Sequence, residues 1–454
     1  MDYFIFKLIL YLILSIFSTF SFVKSESIIF LPLKIDIDDN DNDFEISKLE
    51  SSNIYTEINI GKPNQKVKLY LSFNFYLTFI FDRNVDGSYN HLDSLTYENI
   101  SKTTYYSSPF EKGFESNETF NLQTYNSNSE IEISDFSFDL VTKLKENTNL
   151  KEGIMGLKLF DNTYRGDPVR NIVVQLKKRH IIETYGWNIK FTKNGEGVLG
   201  IGAYPHEYDH ENYSTEYFKQ ILSGWRPTGV YWEIEFTNII TGYGNYIEKT
   251  RKCEMQIETG LIFGSDEYFE LVQHEFFEEK IEKNLCFQNT STSSSYLNFK
   301  YFYCINSEVI KEFKGIHFKN NDLSTDFFFD YNDLFIKKND KYYFLIAFRP
   351  SSNTNWVIGY PFFKKYEFVF EPDKKLIGTY INYPNNNGKN KDGNDKTSVY
   401  LLIGFVVLLS AIILVLSYFL YKLITKTLKK KRANELDDNY DYTPPLEDNK
   451  LINN

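Results

Sequence analysis

The stretch Cys253-Glu-Met-Gln-Ile-Glu-Thr-Gly-Leu-Ile-Phe-Gly264 decides how the rest of the chain is read. Met255 to Ile257 is a brief apolar strand, and Thr259-Gly260 turns the chain sharply directly after Glu258. An acid presented at such a turn sits at the bottom of a cleft. The same tripeptide also fits a surface hairpin with a solvated Glu, so the segments on either side must decide.

Working outward, 454 residues leave room for two or three domains and a large core. Aromatic residues make up 18% of the chain, with 41 Phe and 35 Tyr, and such strand-favouring residues predict a mainly β protein. The net charge is −11 and no basic stripe stands out, which argues against a nucleic-acid partner.

The ends carry their own signals. Lys7, the apolar run Leu8–Phe22 and Val23-Lys-Ser25 read as a secretory signal peptide over residues 1–25. Val399–Leu420 is an uncharged run of about 22 residues. As a helix it would span roughly 33 Å of bilayer. Lys422, Lys426 and Lys429-Lys-Lys-Arg432 follow it and orient it with the C-terminus in the cytosol. The expectation is a single-pass type I membrane protein with a transmembrane helix at 398–421 and a cytosolic tail at 422–454. Sequons at Asn99, Asn117, Asn212 and Asn289 all fall on the exterior side and predict a glycoprotein. In the tail, Glu447-Asp-Asn-Lys-Leu451-Ile452 is similar to an acidic dileucine sorting signal, which directs a protein from the cell surface toward endosomes or lysosomes.

Three cysteines share that exterior compartment. Cys286 and Cys304 are close enough to close a hairpin with a disulfide. Cys253 is then left either buried or available to a second copy in a disulfide-linked dimer. With six His and three Cys scattered along the chain, no metal site and no cofactor are predicted.

Taken in order, Ser27–Lys34 reads as a strand and Ile35–Glu50 as an acidic, Asn-rich connector. From Ile54 the pattern is β: Ile54–Ile60, a turn at Gly61-Lys-Pro-Asn64, then the alternating run Val67–Phe81. Residues 82–118 read as loops. Strand signals return at Phe120–Tyr125, Glu130–Ser134 and Phe136–Val141, then at the compact Gly153-Ile-Met-Gly-Leu157. A helix over Val169–Lys178 and strands at Gly186–Phe191 and Gly197–Gly202 follow. The polar stretch Ala203–Gly229 marks a lobe boundary, so the lobes cover 51–205 and 206–383, with 26–50 before them and a polar stalk at 384–397. The second half repeats the grammar: strands around Tyr231–Ile240, the Glu258 turn, a helix at Tyr268–Lys283 and the cysteine hairpin. Late strands follow at Lys341–Phe348, Trp356–Gly359, Tyr366–Phe370 and Leu376–Tyr380.

In this order and spacing the chain resembles the pepsin-like aspartic proteases from about residue 28 to 382. Ile54–Gln65 resembles that family's opening strand and Gly-Thr-Pro-x-Gln turn, with Lys62 for Thr. Gly153-Ile-Met-Gly-Leu157 is similar to its Gly-Ile-Leu-Gly-Leu element. Gly197–Gly202 and Tyr231-Trp232 resemble the approach to the interlobe strand and the opening of the second lobe. Ile257-Glu-Thr-Gly260 matches the second Asp-Thr-Gly with Glu substituted. Trp356-Val-Ile-Gly-Tyr-Pro-Phe-Phe and Tyr366-Glu-Phe-Val-Phe match the last strands, with Tyr360 for a usual Asp. Ile28–Lys34 resembles the start of a family propeptide. The resemblance implies a mainly β, bilobal pepsin-like (acid protease) fold, here followed by one C-terminal transmembrane helix. It also implies a cleft between lobes and a Cys286–Cys304 bridge in the second lobe. Cys253 resembles half of another family pair whose partner position is Lys249.

The family's chemistry needs two carboxylates that share a proton, one acting as base on water while the other polarises the scissile carbonyl. Counting from Pro63, the first catalytic position falls on Ser72, in Leu71-Ser-Phe-Asn-Phe75, and the second on Glu258. A hydroxyl holds no charge near neutral pH, and loss of one member of a coupled unit costs roughly 10⁴ or more in rate. Tyr125 lines up with the flap tyrosine, followed by Asn-Ser-Asn instead of glycines. The expectation is a catalytically degenerate member that keeps its cleft for a peptide or protein ligand, lined by Phe73, Phe75, Phe79 and Tyr125 beside Thr259 and Gly260. Two alternatives stand beside it. One is an active or residual endopeptidase using Glu258 with Asp82, at the end of Phe79-Ile-Phe-Asp82, or with Ser72. The other is a structural surface glycoprotein.

Overall fold

The structure, a computed structural model, describes residues 28–35, 44–50, 54–381 and 418–430, apart from internal stretches at 86, 102–103, 106–108, 126, 147–149, 151, 160–169, 193–194, 225–230, 246–249, 293–297 and 351–354. Residues 1–384 form one compact unit and 385–454 another.

Alternation builds the first strands. In Ile54-Tyr-Thr-Glu-Ile-Asn-Ile60 every odd position is buried and every even one is half-exposed, as a pleated strand with one wet face requires. The first half of the chain contains β1 (Ile29–Ile35), β2 (Ile54–Ile60), β3 (Gln65–Ser72), β4 (Phe79–Phe81), β5 (Glu98–Asn99), β6 (Thr104–Tyr105), β7 (Phe110–Thr124), β8 (Ser127–Leu144), β9 (Gly153–Gly156), β10 (Trp187–Phe191), β11 (Gly197–Ile201) and β12 (Phe218–Leu222). The second half contains β13 (Glu233–Phe236), β14 (Asn238–Thr241), β15 (Arg251–Met255), β16 (Ile262–Ser265), β17 (Cys286–Thr292), β18 (Asn298–Cys304), β19 (Ile316–Asn320), β20 (Thr325–Phe329), β21 (Phe335–Lys338), β22 (Lys341–Phe344), β23 (Ile346–Arg349) and β24 (Trp356–Ile358). The last strands, β25 (Phe368–Glu371) and β26 (Leu376–Tyr380), return to the first sheet, where β25 pairs with β10. The fold is mainly β, in sheets of 14, nine and three strands.

One pattern occurs twice. In the first half β3 runs parallel to β9, β9 antiparallel to β4, and β4 parallel to β8. In the second half β15 runs parallel to β24, β24 antiparallel to β16, and β16 parallel to β23. Each time a late strand is inserted between two strands joined by a turn. Glycine permits the insertion: a Cβ on Gly156 would lie 2.6 Å or less from backbone atoms of Phe75, Tyr76 and Leu77, and one on Gly359 would lie 2.4 Å or less from the carbonyl oxygens of Thr259 and Leu261. The amide after each glycine then bonds into the turn, Leu157 to the Ser72 carbonyl and Tyr360 to the Thr259 carbonyl, both at 2.7 Å. Ser72 ends β3 and Glu258 follows β15, so the two turns occupy equivalent places.

Several expectations are corrected. Residues 82–118 are not all loop, because β7 begins at Phe110. Its inward polar residues hide the strand from a hydrophobic reading: Glu118 is fully buried, and its carboxylate accepts from Tyr89 Oη at 2.7 Å, Ser94 Oγ at 2.6 Å, the Thr119 amide at 2.7 Å, and Thr96 Oγ1. The stretch 203–229 holds β12, which pairs with β26 in register from Phe218↔Tyr380 to Leu222↔Leu376. The end of the acidic connector is packed structure. Ile46–Glu50 forms a 3-10 helix whose Ile46 and Leu49 join Leu261, Phe263 and Val357 in one apolar cluster. The helix read at Tyr268–Lys283 runs from Asp266 to Glu282 with a π-helical turn at Gln273–Phe277.

Cys286 and Cys304 are disulfide-bonded at the start of the β17–β18 hairpin. Cys253 lies in β15 between β13 and β24 with no exposed surface, so its thiol cannot reach a second copy and the disulfide-linked dimer is corrected. The signal peptide, most of the apolar run at 399–420 and the tail residues Glu447, Leu451 and Ile452 lie outside the described residues. Residues 418–430 form a helix. Among the described residues no helix is long and apolar enough to cross a membrane.

Candidate functional site

The two equivalent turns meet. Ser72 Oγ donates to Glu258 Oε1 at 2.7 Å, and the amides of Phe73 and Asn74 donate to the same oxygen at 2.9 Å each. The Asn74 amide also lies 3.1 Å from Ser72 Oγ. One carboxylate oxygen of the second half is thus held by a hydroxyl and two backbone donors of the first. The other oxygen, Glu258 Oε2, is buried and accepts no hydrogen bond from another residue among those described. Burial pushes the Glu258 carboxyl above its ordinary range, and the hydrogen bonds from its own amide, Ser72, Asn74 and Phe73 oppose that rise.

The turn around Glu258 is fixed by its neighbours. Thr259 Oγ1 accepts the Leu261 amide at 3.2 Å, and the Gly260 amide donates to the Leu49 carbonyl at 2.8 Å. A Cβ at Gly260 would meet that same carbonyl oxygen at 2.8 Å, so this position admits no larger side chain without movement. On the other side, Trp232 Nε1 donates to the Leu157 carbonyl at 2.8 Å, tying the start of the second half to the element beneath Ser72.

Lys158 was not singled out from the sequence. Its half-buried ammonium lies 5.1 Å from the Tyr76 ring and 4.5 Å from the Tyr231 ring, one from each half. Burial lowers its affinity for a proton, and the charges of Glu254 and Glu258 oppose that. The readable signal was a lysine between Leu157 and Leu159, directly after an apolar strand.

The aromatic lining is largely corrected. Phe73 is 2% exposed and packs edge-on against Trp187, Phe363 and Phe370 with ring centroids 5.3–5.6 Å away. Ser72 faces Glu258, so the next side chain points to the opposite side, into the core. Phe79 is buried in a satellite cluster with Phe81, Phe110, Val141 and Ile154, and half-buried Phe75 leans on that cluster. Tyr125 stands at the β7–β8 turn, its ring against Phe30 and Tyr208 and its amide bonded to the Ile28 carbonyl at 3.0 Å. Its surroundings are those of β1.

Asp82 is buried, at 1% exposure. One oxygen accepts from the amide of Asn84 at 3.0 Å and its Nδ2 at 2.6 Å, and the other pairs with His91 Nδ1 at 2.6 Å. Those bonds hold it in its own loop, while Glu258 Oε1 is engaged by Ser72, Phe73 and Asn74. Among the described residues no group of His, Cys, Asp and Glu is placed to hold a metal ion.

Chemically, the site offers one buried carboxylate, one hydroxyl and one cation held between aromatic rings. A carboxylate that already accepts three hydrogen bonds is stabilised as an acceptor, and its free oxygen can take a further N–H or O–H donor. No individual curated protein matches the chain. The model of the family described as eukaryotic aspartyl protease matches residues 53–380, and the chain belongs to that family.

Proposed function

We propose that this is a non-proteolytic member of the family that binds a peptide or protein segment in the cleft between its lobes. The observation that carries the reading is the Ser72–Glu258 contact. Water activation by this fold needs a charged and a protonated carboxylate side by side. Here Glu258 meets a hydroxyl and two amides, which stabilise its charge but supply no second acid. The extra methylene of Glu carries the carboxylate toward the first-lobe turn, where it replaces repulsion between two acids with attraction.

Glu258 Oε2, with no donor from another residue among those described, supports the binding half of the proposal. A buried acceptor without a donor costs about 1–3 kcal/mol. A backbone amide or hydroxyl of a bound segment would remove that cost. The uncharged run at 399–420, the basic residues after it and the four exterior sequons support placing the cleft on the exterior side of a single-pass, glycosylated membrane protein.

The test is cleavage of a diverse peptide library by the purified chain between about pH 3 and about pH 7, a range that spans the upper titration step of such a dyad, beside Glu258→Ala. The expected result is no cleavage by either protein, with peptides retained by the wild type and released by the variant. Cleavage that disappears in Glu258→Ala overturns the proposal and makes Glu258 a working catalytic acid.

A further inference from the structure

We infer that N-linked glycans on Asn99 and Asn289 cover one edge strand in each of the two large sheets, β5 and β17, and that this shielding keeps the protein from self-associating through them. The inference rests on the exterior placement proposed above.

Asn99 lies in β5, which ends the strand order of the first sheet. One side of β5 is bonded to β7, in the register Glu98↔Asn117 and Asn99↔Ser116, and the Ile100 amide continues the alignment to the Glu115 carbonyl at 2.9 Å. The other side meets no strand among the described residues. Such an edge is a template for pairing with another chain, and proteins blunt it with charge, proline, bulges or cover. Here the stretch is also apolar at its surface: Leu92, Leu95 and Ile100 are 78%, 89% and 47% exposed. Ile100, directly after Asn99, sets a large exposed apolar side chain beside the edge. An oligosaccharide on exposed Asn99 is hydrophilic, bulky and attached at the edge itself.

Asn289 repeats the arrangement. It lies exposed in β17, which pairs with β18 through seven residues and has no strand on its other side among the described residues. Gln288 to Ser291 is polar, with no charge and no proline to deter a second strand. The other two sequons differ. Asn212 sits in a turn, its Nδ2 bonded to Asp209 at 2.9 and 3.0 Å. Asn117 lies within the sheet on β7, between β5 and β8, and its Oδ1 accepts Ser137 Oγ at 2.7 Å. Asn117 is half-buried, unlike Asn99 and Asn289, so a glycan on its Nδ2 has less room.

The experiment has two arms on the full chain, secreted by a eukaryotic host and purified in detergent. Enzymatic deglycosylation in heavy-oxygen water, followed by peptide mass spectrometry, reads occupancy. The expected result is sugar on Asn99 and Asn289 and none on Asn117. A bare Asn99 or Asn289 with sugar on Asn212 overturns the inference and leaves the exterior placement standing. Sugar at no site overturns both. Occupied Asn117 overturns the geometric sorting of the sites. The second arm compares light-scattering mass for Asn99→Gln/Asn289→Gln with Asn212→Gln over rising concentration. The double variant is expected to shift to multiples of the chain mass while the control does not; equal masses overturn shielding. Should the double variant fail to leave the cell, the folded wild type trimmed by an endoglycosidase gives the same reading.

Discussion

The hydroxyl of Ser72 and the carboxylate of Glu258 meet at 2.7 Å although 186 positions separate them. A bond from a neutral donor to a charged acceptor contributes about 1.5–3 kcal/mol, and this one joins the two halves of the β fold. Ser72→Ala is therefore expected to lower stability by about 1.5 kcal/mol, and Glu258→Ala by about 3 kcal/mol, because the alanine leaves the Ser72 hydroxyl and the Phe73 and Asn74 amides without their shared acceptor. Glu258→Gln keeps an acceptor oxygen and falls between wild type and Glu258→Ala. Urea midpoints of the three variants check the order. A Ser72→Ala protein as stable as wild type would show that the contact carries no net energy.

Phe73 separates a cleft reading from a core reading. Truncating a buried phenylalanine costs about 3–5 kcal/mol, whereas truncating a groove-lining ring costs binding and little stability. Phe73→Ala is expected to show the large loss in thermal or urea unfolding. A small loss would return Phe73 to the cleft.

Acid should stabilise one part of the molecule. Burial raises the Glu367 carboxyl to about 7, against the hydrogen bond from Tyr213 and the charge of Lys190. The folded chain then holds this proton more tightly than the unfolded chain. Its contribution to stability grows as pH falls from about 7 toward the ordinary glutamate range, and is lost as pH rises through 7, at up to about 1.4 kcal/mol per pH unit. Thermal melts at about pH 5 and about pH 7.5 should show a smaller difference in Glu367→Gln than in wild type. An unchanged difference would remove Glu367 from the pH response.

Thiol chemistry should divide the cysteines by burial. Cys253 is expected to resist alkylation in the native protein and to react fully after denaturation, with monomers on non-reducing gels. Reducing Cys286–Cys304 should cost about 3 kcal/mol, since the bridge closes a loop across 18 positions. Native labelling of Cys253 would place its strand at a surface.

What could be read in the sequence was the part written in apolar alternation and glycine. Ile54–Ile60, the Gly153–Leu157 element and the Trp356–Gly359 strand carry period-two burial or a backbone passage that only glycine allows, and they set the doubled turn that brings Ser72 to Glu258. Burial of polar groups was not readable. Glu118 and Asp82 look like solvent-facing acids until Tyr89, Ser94 and Thr96 close around the first from elsewhere in the chain and His91 and Asn84 close around the second from its own loop. Side-chain direction at the turn was equally hidden, because Phe73 next to Ser72 reads as lining when position alone is considered.

The segment before residue 51 bears on maturation. β1 lies between β11 and β2, in register from Ile29↔Ile201 to Leu33↔Gly197 on one side and from Leu33↔Thr56 to Ile35↔Ile54 on the other. The Leu49 carbonyl caps the Gly260 amide in the turn that carries Glu258. A processing cut after residue 50, with loss of the released piece, would split the 14-stranded sheet into two new edges and strip the cap from that turn. In this structure the N-terminal piece is a strut, bonded on both sides of β1 and at the Gly260 amide.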